Sequence, residues 1–315
     1  MTTARTRSPA IPGTAAGADP SLRWLRRLAW LCAALVLAIT SLSASLRLAK
    51  AGIGCAPWPA CHGAAQQALL APPAAGDEAA QAPASTTLDT VRSAHRVLAV
   101  ATLFLILVMG AACRHARRAR AEWWALLAVT LFLAGLGPWS ARSALPAVAL
   151  GNLLGGFAML ALSVRLAAPR RWAVTPAVRA WLWAAAVALL AQIVLGGLAS
   201  TTGSILSCDG LADCGRAAAG QGWAALDPWR LPGSAAGAPV QWLHRVATGA
   251  VLLLALPLAW RLRRIDAWGA GVLGAALLAL AVLGPVMVGA GFAFGLALGH
   301  NQLAAIALAA LARWL

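Results

Sequence analysis

The chain has 315 residues, of which 61% are hydrophobic and only 11% are charged. A soluble domain of this size does not need so much apolar surface, so the composition indicates a polytopic membrane protein. The formal net charge of +16 could suggest nucleic-acid binding, but the arginines form short clusters between apolar runs, and this pattern excludes that function.

The chain is expected to begin with a disordered cytoplasmic tail over residues 1–22, which are polar and rich in Pro, Gly and Ala. Eight apolar runs follow, each long enough to cross a bilayer as a helix. Basic clusters precede the first run and follow the second, fourth and sixth, so both termini are predicted to be cytoplasmic. The predicted spans are 24–46, 92–113, 122–141, 145–167, 177–199, 239–261, 267–290 and 294–314.

An internal duplication is predicted from landmarks that recur at nearly constant spacing. Cys208 follows Cys55 by 153 residues, and His244 follows His95 by 149. Long outer loops over 47–91 and 200–238 come after the first span of each half. The expected fold is therefore an all-α membrane protein, with eight transmembrane helices arranged as two repeated four-helix bundles. The two halves are 23–168 and 169–315.

Four cysteines form two matched Cys-x5-Cys pairs in the predicted outer loops. This spacing is too loose for a usual zinc knuckle, and thiols on the outer face of a bacterial-type membrane oxidise. We therefore expect disulfides between Cys55 and Cys61 and between Cys208 and Cys214. A redox-active pair and a structural pair cannot be distinguished from these residues. His62, next to Cys61 in a loop, is expected to be solvated.

Three histidines lie in or at apolar runs: His95, His244 and His300. Each could be a structural residue that bonds a neighbouring helix. Their repeat-related places favour a second interpretation, in which two imidazoles on facing helices bind one haem iron axially. Zinc suits these helices less well, because a closed site needs four ligands. Arg96 and Arg245 are either ordinary interfacial arginines or partners of haem propionates.

Four sequence elements in this order resemble the haem A synthase family, eight-helix enzymes that convert haem O to haem A for cytochrome oxidase. The resemblance covers residues from about Trp24 to Leu315. The elements are Arg47-Leu-Ala-Lys-Ala-Gly-Ile-Gly-Cys-Ala-Pro-Trp-Pro-Ala-Cys61, the His-Arg pairs at 95–96 and 244–245, Gln192-Ile-Val-Leu-Gly-Gly197, and His300-Asn-Gln302.

The resemblance implies that His244 and His300 bind a haem b cofactor in the second half, while His95 faces the haem O substrate in the first. The implied reaction oxidises one ring methyl to a formyl group by successive hydroxylations. Implied partners are haem O, the enzyme that produces it, membrane lipid, and an electron donor or acceptor, with no nucleic acid. The implied location is a bacterial-type inner membrane, and a homo-oligomer is compatible with these features.

The first half departs from the family pattern at two positions. Asn152 stands where the family has a fourth histidine, 148 residues before His300, and amides are poor iron ligands. Arg92 stands where the family has an acidic residue three positions before His95, and a guanidinium cannot act as a base. Asp89, one helical turn further out, is a candidate substitute for that acid.

These departures leave a second functional class open beside the enzyme. The alternative is a non-catalytic haem-binding assembly factor or a one-haem membrane cytochrome. A small-molecule transporter fits less well, because four spans in each half keep both halves in the same orientation.

Overall fold

The computed structural model describes residues 20–70, 86–113, 117–168, 172, 174–233 and 236–315. These residues form ten α-helices and no β-strand, and eight of the helices are long and apolar enough to cross a membrane, as predicted. The eight are α1 (Pro20–Lys50), α3 (Thr86–Ala112), α4 (Arg117–Arg142), α5 (Pro146–Ala167), α6 (Pro176–Thr201), α8 (Ala238–Leu262), α9 (Ala267–Gly289) and α10 (Phe294–Ala312).

The predicted spans are confirmed, with differences at their ends. The first extends four residues further, to Lys50, and the second starts six residues earlier, at Thr86. Residues 20–22 are helical, although they were assigned to the tail. The rest of that tail, the start of the second half at 169–171 and His115 in a basic loop lie outside the described residues.

The first backbone N–H groups of a helix have no partner within that helix. Several spans begin with a residue that accepts a hydrogen bond from one of these groups, or with a proline, which lacks the N–H. Pro146 and Pro176 occupy the first turns of α5 and α6, where a missing N–H costs nothing. The side chain of Thr175 accepts a hydrogen bond from the Val178 amide, and Asp266 does the same for the Gly269 amide of α9.

The spans pack as two groups of four with the same neighbours in each group. Within the first group, α1 contacts α3 and α5, and α4 contacts the same two helices. Within the second, α6 contacts α8 and α10, and α9 contacts those two. The groups meet where α5 and α1 pack on α10 and where α5 packs on α6. This pattern is compatible with the duplication, which stays a prediction from the sequence.

Each group also has an acid–arginine pair where its third span begins and its fourth ends. Glu122 lies 3.1 Å from the Arg165 guanidinium, and Asp266 lies 2.8 Å from that of Arg313. Arg313 follows Arg165 by 148 residues, the spacing that relates His300 to its predicted counterpart in the first half. The Asp266–Arg313 pair is the more buried, since each side chain is 8% exposed.

The two outer loops contain short helices that the sequence analysis missed, α2 (Ala60–Leu70) and α7 (Leu211–Ala219). The expectation that His62 is solvated was wrong. Its side chain is 2% exposed, and Nδ1 lies 2.7 Å from the carbonyl oxygen of Ala51. Burial lowers the pKa of His62, and hydrogen bonds with the Ala51 and Gly52 backbone oppose that shift.

The first outer loop packs against the second half of the chain. The Trp58 ring lies 5.6 Å from that of Phe292, and a side chain at Gly54 would collide with Phe294. Gly54 has a positive φ of 71° as well, so this position favours glycine for two reasons. The loop therefore covers one end of the second four-helix group.

Candidate functional site

A cavity of about 520 Å³ lies inside the second four-helix group. Residues of α6, α8, α9 and α10 form most of its wall, and the end of α1, the middle of α5 and a few loop residues complete it. Most of the lining side chains are aliphatic or aromatic, including Phe157, Leu189, Leu277 and Phe292. A mainly apolar pocket with a few placed polar groups is the usual form of a cofactor site.

His244 of α8 and His300 of α10 both line this cavity, as the sequence analysis expected of two ligands on facing helices. Their ring centroids are 6.5 Å apart, and the ring planes differ by 65°. An imidazole nitrogen lies about 2 Å from a metal that it binds, so rings on opposite sides of one iron have centroids about 6 Å apart. The observed separation is compatible with two imidazoles that share one metal ion, and their role as ligands stays a prediction.

The His244 ring lies against a glycine of α6. A Cβ atom at Gly196 would approach the His244 Cε1 atom to 2.8 Å, so only glycine leaves room for the ring. From one helical turn earlier, the Gln192 side-chain amide donates to the backbone oxygen of His244 at 2.9 Å and to the Thr248 hydroxyl at 2.8 Å. These contacts explain the apolar, glycine-containing motif of the fifth span.

Neither histidine uses its Nδ1 atom for a protein hydrogen bond. The Nδ1 atoms of His244 and His300 are buried without a partner. Most buried polar atoms in proteins have a hydrogen-bond partner, so these two nitrogens are unusual. Among the residues that the structure describes, no group of three His, Cys, Asp or Glu side chains lies close enough together to hold a metal ion.

Polar residues gather at the end of the cavity nearest the cysteine loops. Arg245 lines the cavity and donates to the backbone oxygen of Asp209 at 2.8 Å. Arg47 lines it too, although it comes from α1 in the first half. Arg47 was named in the sequence only as the first residue of a family-like element and not as a site residue, because its approach to α6 and α10 depends on how distant spans pack.

The remaining candidates lie in the first half, away from this cavity. His95 on α3 is half-buried and Arg96 is exposed, and neither lines the cavity. Asn152 donates from its amide nitrogen to the Ser140 hydroxyl at 2.7 Å. The structure therefore brings His244, His300 and Arg245 together but separates them from His95 and Arg96.

Asp89, the candidate substitute for the family's acid, is paired with Arg92, the residue that stands at the position of that acid. The guanidinium of Arg92 lies 2.9 Å from the Asp89 carboxylate, and both side chains are exposed, at 49% and 57%. Asp89 therefore lies at the surface of α3. Its carboxylate forms an ion pair with Arg92, which stands three residues later at the position of the family's acid.

The cysteines occur as the expected pairs. Cys55 is joined to Cys61 with Cα atoms 6.0 Å apart, and Cys208 is joined to Cys214 with Cα atoms 5.1 Å apart. Both Cα separations lie in the range that a disulfide requires. Oxidation of these pairs in the cell stays a prediction.

Replacing Gly196 with alanine is expected to reduce the haem content of the purified protein severalfold. The added Cβ would press on the His244 ring and displace it from the cavity. The matched control is Gly249→Ala in α8, where the new Cβ meets nothing within 4 Å. Both changes raise helix propensity equally, by about 1 kcal/mol. An unchanged haem-to-protein ratio in Gly196→Ala would show that the ring position does not control binding.

Comparison with known proteins gives two findings. A family model described as "Cytochrome oxidase assembly protein" (COX15-CtaA) matches residues 26–312, nearly the whole chain. The "Heme A synthase" of Shewanella oneidensis is 28% identical over 212 residues. That alignment covers 61% of this chain and 61% of the relative, so it spans less than two thirds of the length of either protein.

Proposed function

Because this chain belongs to the haem A synthase family of cytochrome oxidase assembly proteins, we propose that it is a membrane oxidoreductase that oxidises a methyl group of haem O to a formyl group. The observation that carries the proposal is the pair of imidazoles 6.5 Å apart in a mainly apolar cavity of the second half. The residues fit a haem b cofactor, since two imidazoles line a mainly apolar cavity and their ring centroids are separated by a distance that accommodates one metal ion.

His244 and His300 would hold this haem, and Gly196 and Gln192 would set the position of His244. A haem iron with two histidine ligands supplies one-electron transfer. Aliphatic side chains of α6 and α9 would exclude water from the porphyrin faces. The second half would thus act as the electron-transfer site.

In the first half, His95 would face haem O, the substrate. The residues of the first half support the oxidation of haem O less fully, because Arg92 replaces the family's acid and Asn152 replaces its fourth histidine. No catalytic residue is assigned. The partners we propose are the enzyme that supplies haem O and an electron donor or acceptor.

The membrane is proposed to be the inner membrane of a bacterial-type cell, with both termini cytoplasmic. The arginine clusters around 23–27, 114–120, 170–171 and 261–264 support this orientation, because cytoplasmic loops carry an excess of basic residues. The cysteine loops would then face the oxidising side, where disulfides form.

The proposal is tested by co-expressing the protein with a haem O-producing enzyme in cells that lack haem A synthase, and by analysing the extracted haems. Haem A or its hydroxylated intermediate is the expected product. Absence of both, in cells that accumulate haem O and contain the full-length protein, would contradict the enzymatic function.

A second candidate function is a one-haem membrane cytochrome or a non-catalytic assembly factor. The observations that favour it are the Asn152–Ser140 hydrogen bond and the Arg92–Asp89 ion pair, which occupy the family's ligand and acid positions. One haem b per chain, together with no product in the co-expression test, would support this alternative.

Replacing Asn152 with histidine is expected to raise the haem-to-protein ratio from about one towards two when haem is abundant. The new imidazole would provide the ligand that an amide cannot supply. The control is Ser140→Ala, which removes the hydrogen-bond partner of Asn152 without adding a ligand. If Asn152→His leaves the ratio unchanged, position 152 is not the missing-ligand position.

A further inference from the structure

Arg47 is a cation in the cavity, and both of its described hydrogen-bond partners are neutral. Its Nη1 atom donates to the Ser200 hydroxyl at 2.6 Å, and its Nη2 atom donates to the side-chain oxygen of Asn301 at 2.8 Å. Among the described residues no carboxylate lies within ion-pair distance of this guanidinium. Arg165 and Arg313, in contrast, each contact a carboxylate.

The positive charge of Arg47 has no compensating anion among its described partners. A guanidinium stays protonated at any physiological pH, and holding its charge beside apolar side chains is costly unless an anion compensates it. Asp209 is the one carboxylate among the described residues that line the cavity, and it is exposed and not among the hydrogen-bond or ion-pair partners of Arg47. The cavity therefore favours a ligand that brings its own negative charge to this place.

The hydrogen bonds of Arg47 connect it to the helix segments that hold or contact the two histidines. Asn301, which accepts its hydrogen bond, directly follows His300 on α10. Ser200, the other acceptor, lies one helical turn beyond Gly196, the residue against the His244 ring. Arg47 is thus fixed to the same two helices, α6 and α10, that position the proposed iron ligands.

Only the first half of the predicted repeat has an arginine at this position. The cysteine spacing of 153 residues relates Arg47 to Ser200. The residue at the equivalent position of the second half is therefore the one that accepts a hydrogen bond from Arg47. The first half thus supplies a cation to the cavity of the second half, and the second half provides only a hydroxyl at the equivalent place.

We propose that the guanidinium of Arg47 binds a propionate carboxylate of the haem in the second-half cavity. This inference rests on the proposed function, because it assumes a haem in that cavity. Ser200 and Asn301 act as positioning residues that hold the guanidinium in place. A charge-assisted pair of this kind would make the cavity select porphyrins with free carboxylates.

The test compares haem with haem dimethyl ester, whose propionates carry no charge. Full-length protein, produced in haem-deficient cells and kept in detergent, is titrated with each compound, and binding is followed by the low-spin absorption band. We expect the wild type to bind haem about tenfold or more tightly than the diester. In Arg47→Gln this preference should fall to about twofold or less, mainly through weaker binding of haem.

Two controls make the result specific to this side chain. Lys50→Gln removes a cation one turn further along α1, where Lys50 is exposed and donates to the Ser143 backbone outside the cavity. It should keep the full preference. Arg47→Lys should keep part of it, since it retains the charge but not the forked donor.

The possible outcomes separate this inference from the proposed function. A wild type that binds haem and diester equally overturns the role of Arg47 without any variant, and leaves the histidine ligands in place. Equal weakening of both compounds in Arg47→Gln overturns it too, because the arginine would then only support the fold. A wild type that binds neither compound overturns both this inference and the proposed haem site.

Discussion

Replacing either His244 or His300 with alanine is expected to abolish the low-spin haem spectrum of the purified protein. Each ring would provide one of the two axial ligands, and their centroid separation of 6.5 Å leaves space for one iron between them. Loss of one ligand removes the six-coordinate state even where some haem remains in the cavity.

The same measurement on His95→Ala provides the contrast. His95 lies on α3 and does not line the cavity, so this variant should retain most of the spectrum. Haem content is measured by the pyridine haemochrome assay, and folding by retention of a single peak in size-exclusion chromatography. Complete loss of the spectrum from His95→Ala alone would contradict assignment of the cofactor to the second half.

Replacing Arg313 with glutamine is expected to destabilise the protein by about 3 kcal/mol or more, measured by reversible denaturation in detergent. The variant would leave the Asp266 carboxylate buried, with the Gly269 amide as its remaining hydrogen-bond donor among those the structure describes. Removing one partner of a buried ion pair costs this much because the other charge is left uncompensated. The control is Arg216→Gln, since Arg216 is 81% exposed in its pair with Asp213. It should change stability by about 1 kcal/mol or less.

A double variant distinguishes the charge effect from lost packing. Asp266→Asn combined with Arg313→Gln removes both charges, so it should recover part of the stability lost in Arg313→Gln. A double variant as unstable as the sum of the two single variants would show that the residues act independently. Arg313 also lies 5.4 Å from the Trp268 ring, and that contact would then account for its effect.

The eight spans could be predicted because each depends on local composition. Twenty apolar residues form a helix in a bilayer whatever their neighbours are, since every backbone polar group must bond within the segment. His244 and His300 could be named as candidates because each is a histidine in an apolar span of the second half, and the structure brings them to one cavity. To predict that these two residues lie close together, it was enough to assume that the helices form a bundle.

The features that were missed depend on tertiary contacts or on short local propensity. Arg47 reaches Ser200 and Asn301 across separations of 153 and 254 residues, which no local pattern encodes. Its position at the end of an apolar run, in register with Ser200, was the available signal. The helix α2 was missed because proline and glycine around it suggested a loop, although Ala64-Ala-Gln-Gln-Ala-Leu-Leu70 is rich in helix-forming residues.

The cavity wall takes residues from both early and late parts of the chain. Arg47 lies on the first span and His300 on the eighth, and the loop around Trp58 packs on Phe292 between the seventh and eighth. During synthesis on a ribosome, α1 enters the membrane long before α10 exists. The cavity consequently cannot form before the last transmembrane segment is inserted, and the proposed haem would enter it only after that step.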